Sequence, residues 1–324
     1  MKSPCRVIDI APSTPPQRPA RDQVLIGVAA CPGEVPDGFD ILLTEGPAAP
    51  RPWVVSSDAR ATARRIAAEA ERHPAAAVAL VQVLRMGPAL APPDRLLVES
   101  MAYSALQGGA DFRAWLAAAP PRVPRPAAEP VRLRRDGGRL SVVLDRPWAR
   151  NAFDAATRDA LCEALEVAAA DPSITGVDVR GAGPAFCAGG DLAEFGTSGD
   201  TAEAHRVRVS RSPAALLLSC ASKVTVHLHG ACVGAGIELA AFAGRVTAAP
   251  DTVIRLPEIG MGLIPGAGGT ASLPARAGRE RTAFLALSGT ALTAPQALAW
   301  GLVDEITGIR RDVRRAHGVR TNTE

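Results

Sequence analysis

The stretch from Ser222 to Thr270 constrains this chain most. Val224-Thr225-Val226-His227-Leu228 reads as a buried strand. It runs into Gly230-Ala231-Cys232-Val233-Gly234-Ala235-Gly236-Ile237-Glu238, and a helix of small residues from Glu238 to Ala243 leaves that turn. The glycine turn therefore sits at a helix N-terminus, where backbone N–H groups lack intrahelical acceptors and the helix dipole favours negative charge. Two carboxylates, Glu238 and Glu258, flank the same region, and Gly262 to Thr270 adds a second glycine-rich run. Donors for a developing oxyanion beside two acid/base groups form a chemical kit rather than a packing pattern.

Composition narrows the class. With 324 residues, 47% apolar and 21% charged, the chain can bury a large core and has room for about two domains. The net charge of +3 is spread along the chain, and Lys2 and Lys223 are its only lysines. No basic stripe interleaved with aromatics appears, which argues against a nucleic-acid partner. The six cysteines show neither zinc nor redox spacing, so a reduced, cytoplasmic chain without a metal is expected. Residues 1–21 are polar and proline-rich with no apolar core of a signal peptide, and no run is long enough to span a membrane.

Along the chain, residues 1–21 read as a flexible arm and 22–118 as a smaller N-terminal α/β domain. Strands are expected near 24–28, 39–43 and 53–55, a helix over 59–72 behind the Ser56-Ser57-Asp58 cap cluster, and a further strand over 78–84. Two helices with a break at Gly108-Gly109 fit 95–106 and 111–116. The proline-rich run 119–130 reads as a stiff linker. Residues 131–307 form a second α/β domain opening with a hairpin at Asp136-Gly137-Gly138 and a helix over 155–170, and 308–324 a basic tail.

Two glycine-rich turns follow strands, Gly181 to Leu192 and Gly230 to Glu238, and neither has the order of a dinucleotide fingerprint or a P-loop. Together with Asp145-Arg146-Pro147-Trp148-Ala149-Arg150-Asn151-Ala152-Phe153, Pro257-Glu258-Ile259-Gly260, Ile264 to Thr270 and Gly301-Leu302-Val303-Asp304, they make six blocks in order. Through them the stretch from about Leu133 to Ile306 resembles the crotonase superfamily, the enoyl-CoA hydratase/isomerase group.

The resemblance implies a crotonase-like spiral of ββα units, assembled as a homotrimer or hexamer, that binds acyl-CoA thioesters with no cofactor beyond the coenzyme A of the substrate. Gly190 and Ala235 match the two positions whose backbone N–H groups form the oxyanion hole; Ala235 suits this if its φ is negative. Glu238 and Glu258 match the two catalytic glutamates of the hydratases, with Glu258 exchanging the C2 proton and Glu238 acting on the water. The dipole of the following helix is expected to favour an ionised Glu238. Arg150, Asn151 and Ala152, with Asp191, Leu192 and Ala193, match segments bordering the CoA pocket.

The leading expectation is a hydro-lyase adding water to a trans-2-enoyl-CoA. The alternatives are an enoyl-CoA isomerase and a non-catalytic acyl-CoA-binding subunit. His227 and His229 share a strand face without a third metal ligand, His205 reads as solvated, and Cys187 and Cys232 as small packing residues. Asp191 reads as a helix start. Relatives continue beyond the Gly-Leu-Val block into C-terminal helices, whereas this chain carries residues 1–130 in front. The rhythm of residues 96–116 resembles those helices, so this front segment is expected to pack against the core of its own or a neighbouring subunit; the alternative is an unrelated appended domain.

Overall fold

The computed structural model describes residues 3–11, 14–33, 37–46, 48–125 and 127–308. The basic tail, from residue 309 on, lies outside them. Strands β1 (Cys5–Asp9), β2 (Val24–Ala29), β3 (Ile41–Thr44) and β4 (Val54–Val55) form a parallel sheet in chain order. Every residue of β2 and β3 is buried, as a sheet covered on both faces requires. The expectation of a flexible arm over 1–21 is corrected over Cys5–Asp9, which pairs in register with Val24–Val28. The prolines that suggested an arm all lie beyond that short strand.

Helix α1 (Ala59–Arg72) is capped by Asp58, whose carboxylate accepts from the Ala61 N–H at 2.7 Å. Residues 78–84, expected as a strand, belong instead to helix α2 (Pro74–Met86). Pro74 presets the first helical turn, and Ala76, Ala77, Leu80, Val81, Val83 and Leu84 bury a helical face too broad to show alternation. Helices α3 (Pro92–Gln107) and α4 (Ala110–Ala118) flank the Gly108-Gly109 break.

After the extended run, β5 (Val131–Asp136) and β6 (Arg139–Leu144) form the hairpin, and α5 (Ala155–Ala170) follows with Asp154 as its cap. Then come β7 (Gly176–Gly181), α6 (Thr201–Ser210) and α7 (Pro213–Cys220). From here the strands step between two sheets. β8 (Val224–Leu228), β10 (Arg245–Ala248) and β13 (Glu305–Ile306) extend a six-stranded sheet ordered β13-β10-β8-β7-β6-β5. β9 (Ala231–Val233), β11 (Val253–Arg255) and β12 (Leu292–Thr293) make a smaller one ordered β12-β11-β9. Helices α8 (Ala235–Ala240), α9 (Gly269–Ala277), α10 (Arg279–Ser288) and α11 (Ala294–Trp300) close the turns of this spiral.

The linker divides the chain but not the core. Helix α1 packs on α10, α2 on α9 and α10, and α3 on α6, α7 and α9. One apolar cluster runs from Ile26 and Ile41 through Leu80 to Leu273 and Leu287. Polar groups add to it: Arg281 Nε donates to the Trp53 carbonyl at 3.1 Å and Arg279 Nη2 to that of Phe39 at 3.0 Å. Among the described residues no helix is long and apolar enough to cross a membrane.

Candidate active site

Strand β9 is followed by Gly234, whose φ of 48° lies where an L side chain is strained. The strained conformation thus falls on glycine, and the next residue, Ala235, is not among those with positive φ. A Cβ at Gly234 would lie 2.5 Å from Glu258 Oε1, so the bare turn is what admits that carboxylate. Gly190 meets the same need on the other loop, where a Cβ would lie 2.8 Å from the Phe195 ring. Among the described residues neither the Gly190 nor the Ala235 N–H has a protein acceptor. Both residues, with Glu238, Glu258 and Asp191, line one cavity of about 230 Å³.

Glu238 stands in the first turn of α8 and is 2% exposed. Its Oε2 accepts from the Ala267 N–H at 2.7 Å and the Gly269 N–H at 3.0 Å. The pull of the helix dipole toward an ionised Glu238 is opposed here. Burial first, then the Glu258 and Glu99 charges, push its pKa well above the ordinary carboxylate range, against the two N–H donors and a helix of only six residues. Glu258, in the 3₁₀ turn after β11, is pushed up to about 8, chiefly by burial, and its buried Oε2 has no hydrogen-bond partner. Two enclosed carboxylates facing one space cannot easily both be charged, so the pair can share a proton and exchange it with a substrate.

Of the other expected residues, the structure brings only Asp191 to the cavity wall, while Arg150, Asn151, Ala152, Leu192 and Ala193 stand beside it. Their chain neighbours Phe153, Asp154, Glu194 and Phe195 line it. Asn151 is committed to backbone: its amide donates to the Ala182 and Ala185 carbonyls at 2.9 and 2.8 Å and its Oδ1 accepts from the Arg146 N–H at 2.8 Å. Arg150 is exposed, in left-handed conformation. Asp191 does not start a helix; turns follow it, and its carboxylate pairs with Arg146 at 2.9 Å.

Arg146, quoted in the first motif but given no role, is the residue that joins these loops. Fully buried, it pairs with both Asp154 and Asp191 and donates to the Ala152 carbonyl at 2.6 Å. The histidines also have structural partners. His227 bonds Thr247 and Asp178, His229 meets the Gly183 carbonyl, and His205, expected in solvent, shares a 2.9 Å hydrogen bond with Ser100. All six cysteines are unpaired, and burial raises the Cys187 and Cys232 thiols.

The front segment contributes three groups with no assigned role in the sequence reading. Glu99, on α3 and 2% exposed, accepts from the Gly268 N–H at 2.6 Å, the Thr270 N–H at 2.7 Å and the Thr270 hydroxyl at 2.7 Å. Burial pushes it up to about 7. Tyr103 lines the cavity of Glu238 and Glu258 and covers Gly266, where a Cβ would lie 2.4 Å from its ring. Phe112, on α4, is buried and stacks with Trp115, and the Asp111–Phe112 backbone lies against Gly262. A lone glutamate on the apolar stretch Leu96-Leu97-Val98-Glu99-Ser100-Met101 was the available signal.

A two-sheet ββα spiral with paired glutamates behind a glycine turn defines a crotonase-type site. The family model described as Enoyl-CoA hydratase/isomerase matches residues 135–317, and the chain belongs to that family within the crotonase superfamily. It is 36% identical over 167 residues to the 2,3-dehydroadipyl-CoA hydratase of Escherichia coli (strain K12), covering 52% of this chain and 65% of that one. The alpha subunit of the fatty acid oxidation complex of Shewanella loihica is 34% identical over 178 residues, 53% of this chain and 25% of that subunit. Among solved structures, the enoyl-CoA hydratase of Thermoplasma volcanium superposes with a TM-score of 0.52 at 34% identity, covering 56% of this chain and 72% of that one. The chain spans just under two thirds of the length of such curated relatives as the Escherichia coli hydratase.

Proposed function

We propose that the protein is a hydro-lyase that adds water across the 2,3 double bond of a trans-2-enoyl-CoA. The observation that carries this is the pair of enclosed glutamates, Glu238 and Glu258, in one cavity with the unengaged N–H groups of Gly190 and Ala235. Those two N–H groups receive the thioester oxygen as it gains charge, stabilising the enolate formed when water adds at C3. One proton shared by the pair gives one acid and one base. The two N–H bonds to Oε2 make Glu238 the better seat for the charge, and the unpartnered Oε2 makes Glu258 the better seat for the proton. Glu238 thus deprotonates the water and Glu258 delivers its proton to C2; the water's proton restores the pair for the next turnover. The name of the Escherichia coli relative, a hydratase of an enoyl-CoA, supports the same reaction class.

The asymmetry of the pair also suits a second reading. A single carboxylate with a free oxygen, Glu258, can carry a proton between C2 and C4 of a 3-enoyl thioester, which is isomerisation. Loss of the conjugated-thioester absorbance with a short 2-enoyl-CoA, alongside Glu238→Gln and Glu258→Gln, separates them. Hydration that falls by several orders of magnitude in both variants supports the hydratase. Conversion of 3-enoyl to 2-enoyl thioester without hydration, surviving in Glu238→Gln, supports the isomerase. Binding of acyl-CoA without either reaction leaves a non-catalytic subunit. Assembly as a homotrimer or hexamer is part of the same proposal, tested by light scattering.

A further inference from the structure

Arg208, on α6, takes no part in the chemistry above, yet it borders the catalytic cavity and a neighbouring one of about 240 Å³. Its guanidinium is held from one side by α3. Nε donates to Ser100 Oγ at 3.1 Å, Nη1 to Gln107 Oε1 at 3.2 Å, Nη2 to Ser104 Oγ, and the Tyr103 ring centroid lies 4.7 Å from Cζ. All four partners are neutral. Among the described residues Arg208 forms no ion pair, whereas the other two arginines bordering the second cavity, Arg158 and Arg211, both pair with Asp159, at 2.9 and 3.3 Å.

A guanidinium has five N–H donors and does not lose its charge in proteins. Three are engaged here, leaving one on each terminal nitrogen, the fork that fits a carboxylate. Glu99, whose charge acts on Arg208, has both oxygens committed to Gly268 and Thr270. Desolvation weighs against the Arg208 charge and the Glu99 charge only partly offsets it, so this half-buried cation, in no direct ion pair among the described residues, is suited to receive an anion. The second cavity beside it is walled by Leu96, Leu97, Val209, Pro213, Ala214 and Leu239, a surface for methylene groups.

Resting on the enoyl-thioester reading, we propose that the acyl group taken by this site ends in a carboxylate, which Arg208 receives. The acyl group runs from the glutamates to the guanidinium within the cavity that all three line, and the apolar wall of the neighbouring cavity adjoins it. A phosphate of coenzyme A is the other anion that the substrate carries, but it is bound best at a wet, open mouth and not beside a wall of leucine and proline.

The test compares trans-2-enoyl-CoA thioesters of four to eight carbons, each with a terminal methyl or a terminal carboxylate, on the wild type and on Arg208→Met. Alongside these, calorimetric affinities are measured for the two saturated thioesters and for free coenzyme A. A wild-type preference in kcat/KM for one carboxylate-tipped member of at least tenfold, collapsing by a further tenfold or more in Arg208→Met, supports the proposal. If Arg208→Met lowers both series equally, leaving the ratio unchanged, the residue only fastens α6 to α3 and the proposal is wrong. It is equally wrong if the methyl series is preferred at every length, or if the variant weakens free coenzyme A as much as the carboxylated thioester. Should no enoyl thioester be turned over, the hydratase reading fails by itself, and the calorimetric preference for the carboxylated saturated thioester still decides for or against Arg208.

Discussion

Glu99 and Glu238 divide four consecutive backbone N–H groups between them, Ala267 and Gly269 donating to Glu238 and Gly268 and Thr270 to Glu99. One carboxylate comes from the spiral and the other from the front segment, and together they clasp the turn that opens α9. Glu238 is thus aimed by a turn whose other side is fastened by a helix residue 169 positions away in the chain.

Removing Glu99 is therefore expected to be costly. Glu99→Ala leaves two N–H groups and a hydroxyl at a buried site without their acceptor, and hydrogen bonds to a charged group contribute about 1.5–3 kcal/mol each. The expected loss is about 3 kcal/mol or more by denaturant titration. Turnover should fall as well, because the loosened turn no longer fixes Glu238 Oε2. A variant of unchanged stability and unchanged kcat would show that the clasp is ornamental.

Stability should also depend on pH in a defined window. Glu99, raised from 4.5 to about 7, and Glu258, raised from 4.5 to about 8, bind protons more tightly in the folded state than in the unfolded chain. Their contribution is complete below pH about 4.5 and is lost as pH rises through about 7 to 8. Chemical unfolding at steps from pH 5 to 9 should show stability falling across that span from these two groups. The double variant Glu99→Ala, Glu258→Gln should flatten the slope, and an unchanged slope would place the titration elsewhere.

Much of this site is legible in the sequence, for reasons that differ by element. Helices α1 and α5 start where expected because Asp58 and Asp154 supply real caps. The glutamate pair and the glycine turns are visible because close backbone approach demands glycine at Gly234 and Gly190 whatever surrounds them. Residues 78–84 misled because an aliphatic helix buried on most sides loses its period. Glu99, Tyr103 and Arg208 acquire meaning only from contacts more than 100 residues apart, such as Arg208 with Ser100 and Ser104, which no local pattern encodes.

Turnover should carry an alkaline limb. If Glu258 must hold the proton destined for C2, kcat declines as pH rises through about 8. In Glu258→Gln the residual rate should lose that limb, since an amide has no proton to give up in this range. Persistence of the limb in the variant would assign it to another group, Glu238 first.

Gly234→Ala tests the turn itself. The added Cβ would lie 2.5 Å from Glu258 Oε1 and the residue would sit at positive φ. Backbone strain of about 1–3 kcal/mol is expected. A carboxylate displaced by about 1 Å is expected to lower kcat roughly 100-fold. The fall in kcat should exceed what the stability loss explains, which a comparison of melting and turnover at low temperature will show.

The last prediction concerns the front segment as a whole. Residues 1–118 hold no catalytic glutamate of the proposed pair, yet they place Glu99 on the α9 turn, Tyr103 over Gly266 and the Asp111–Phe112 backbone against Gly262. Helix α3 covers α6, α7 and α9 at once, and the apolar cluster it closes includes Leu273 and Leu239, next to Glu238. A chain beginning at residue 128 would expose that surface and leave the α9 turn half fastened, so it should be insoluble or, if soluble, inactive. Supplying residues 1–118 as a separate polypeptide should restore solubility and some turnover, because the contacts are made by packed helix faces rather than by the linker. A soluble 128–324 fragment that hydrates a 2-enoyl-CoA as fast as the full chain would overturn this, and would make the front segment an appended domain rather than part of the active site.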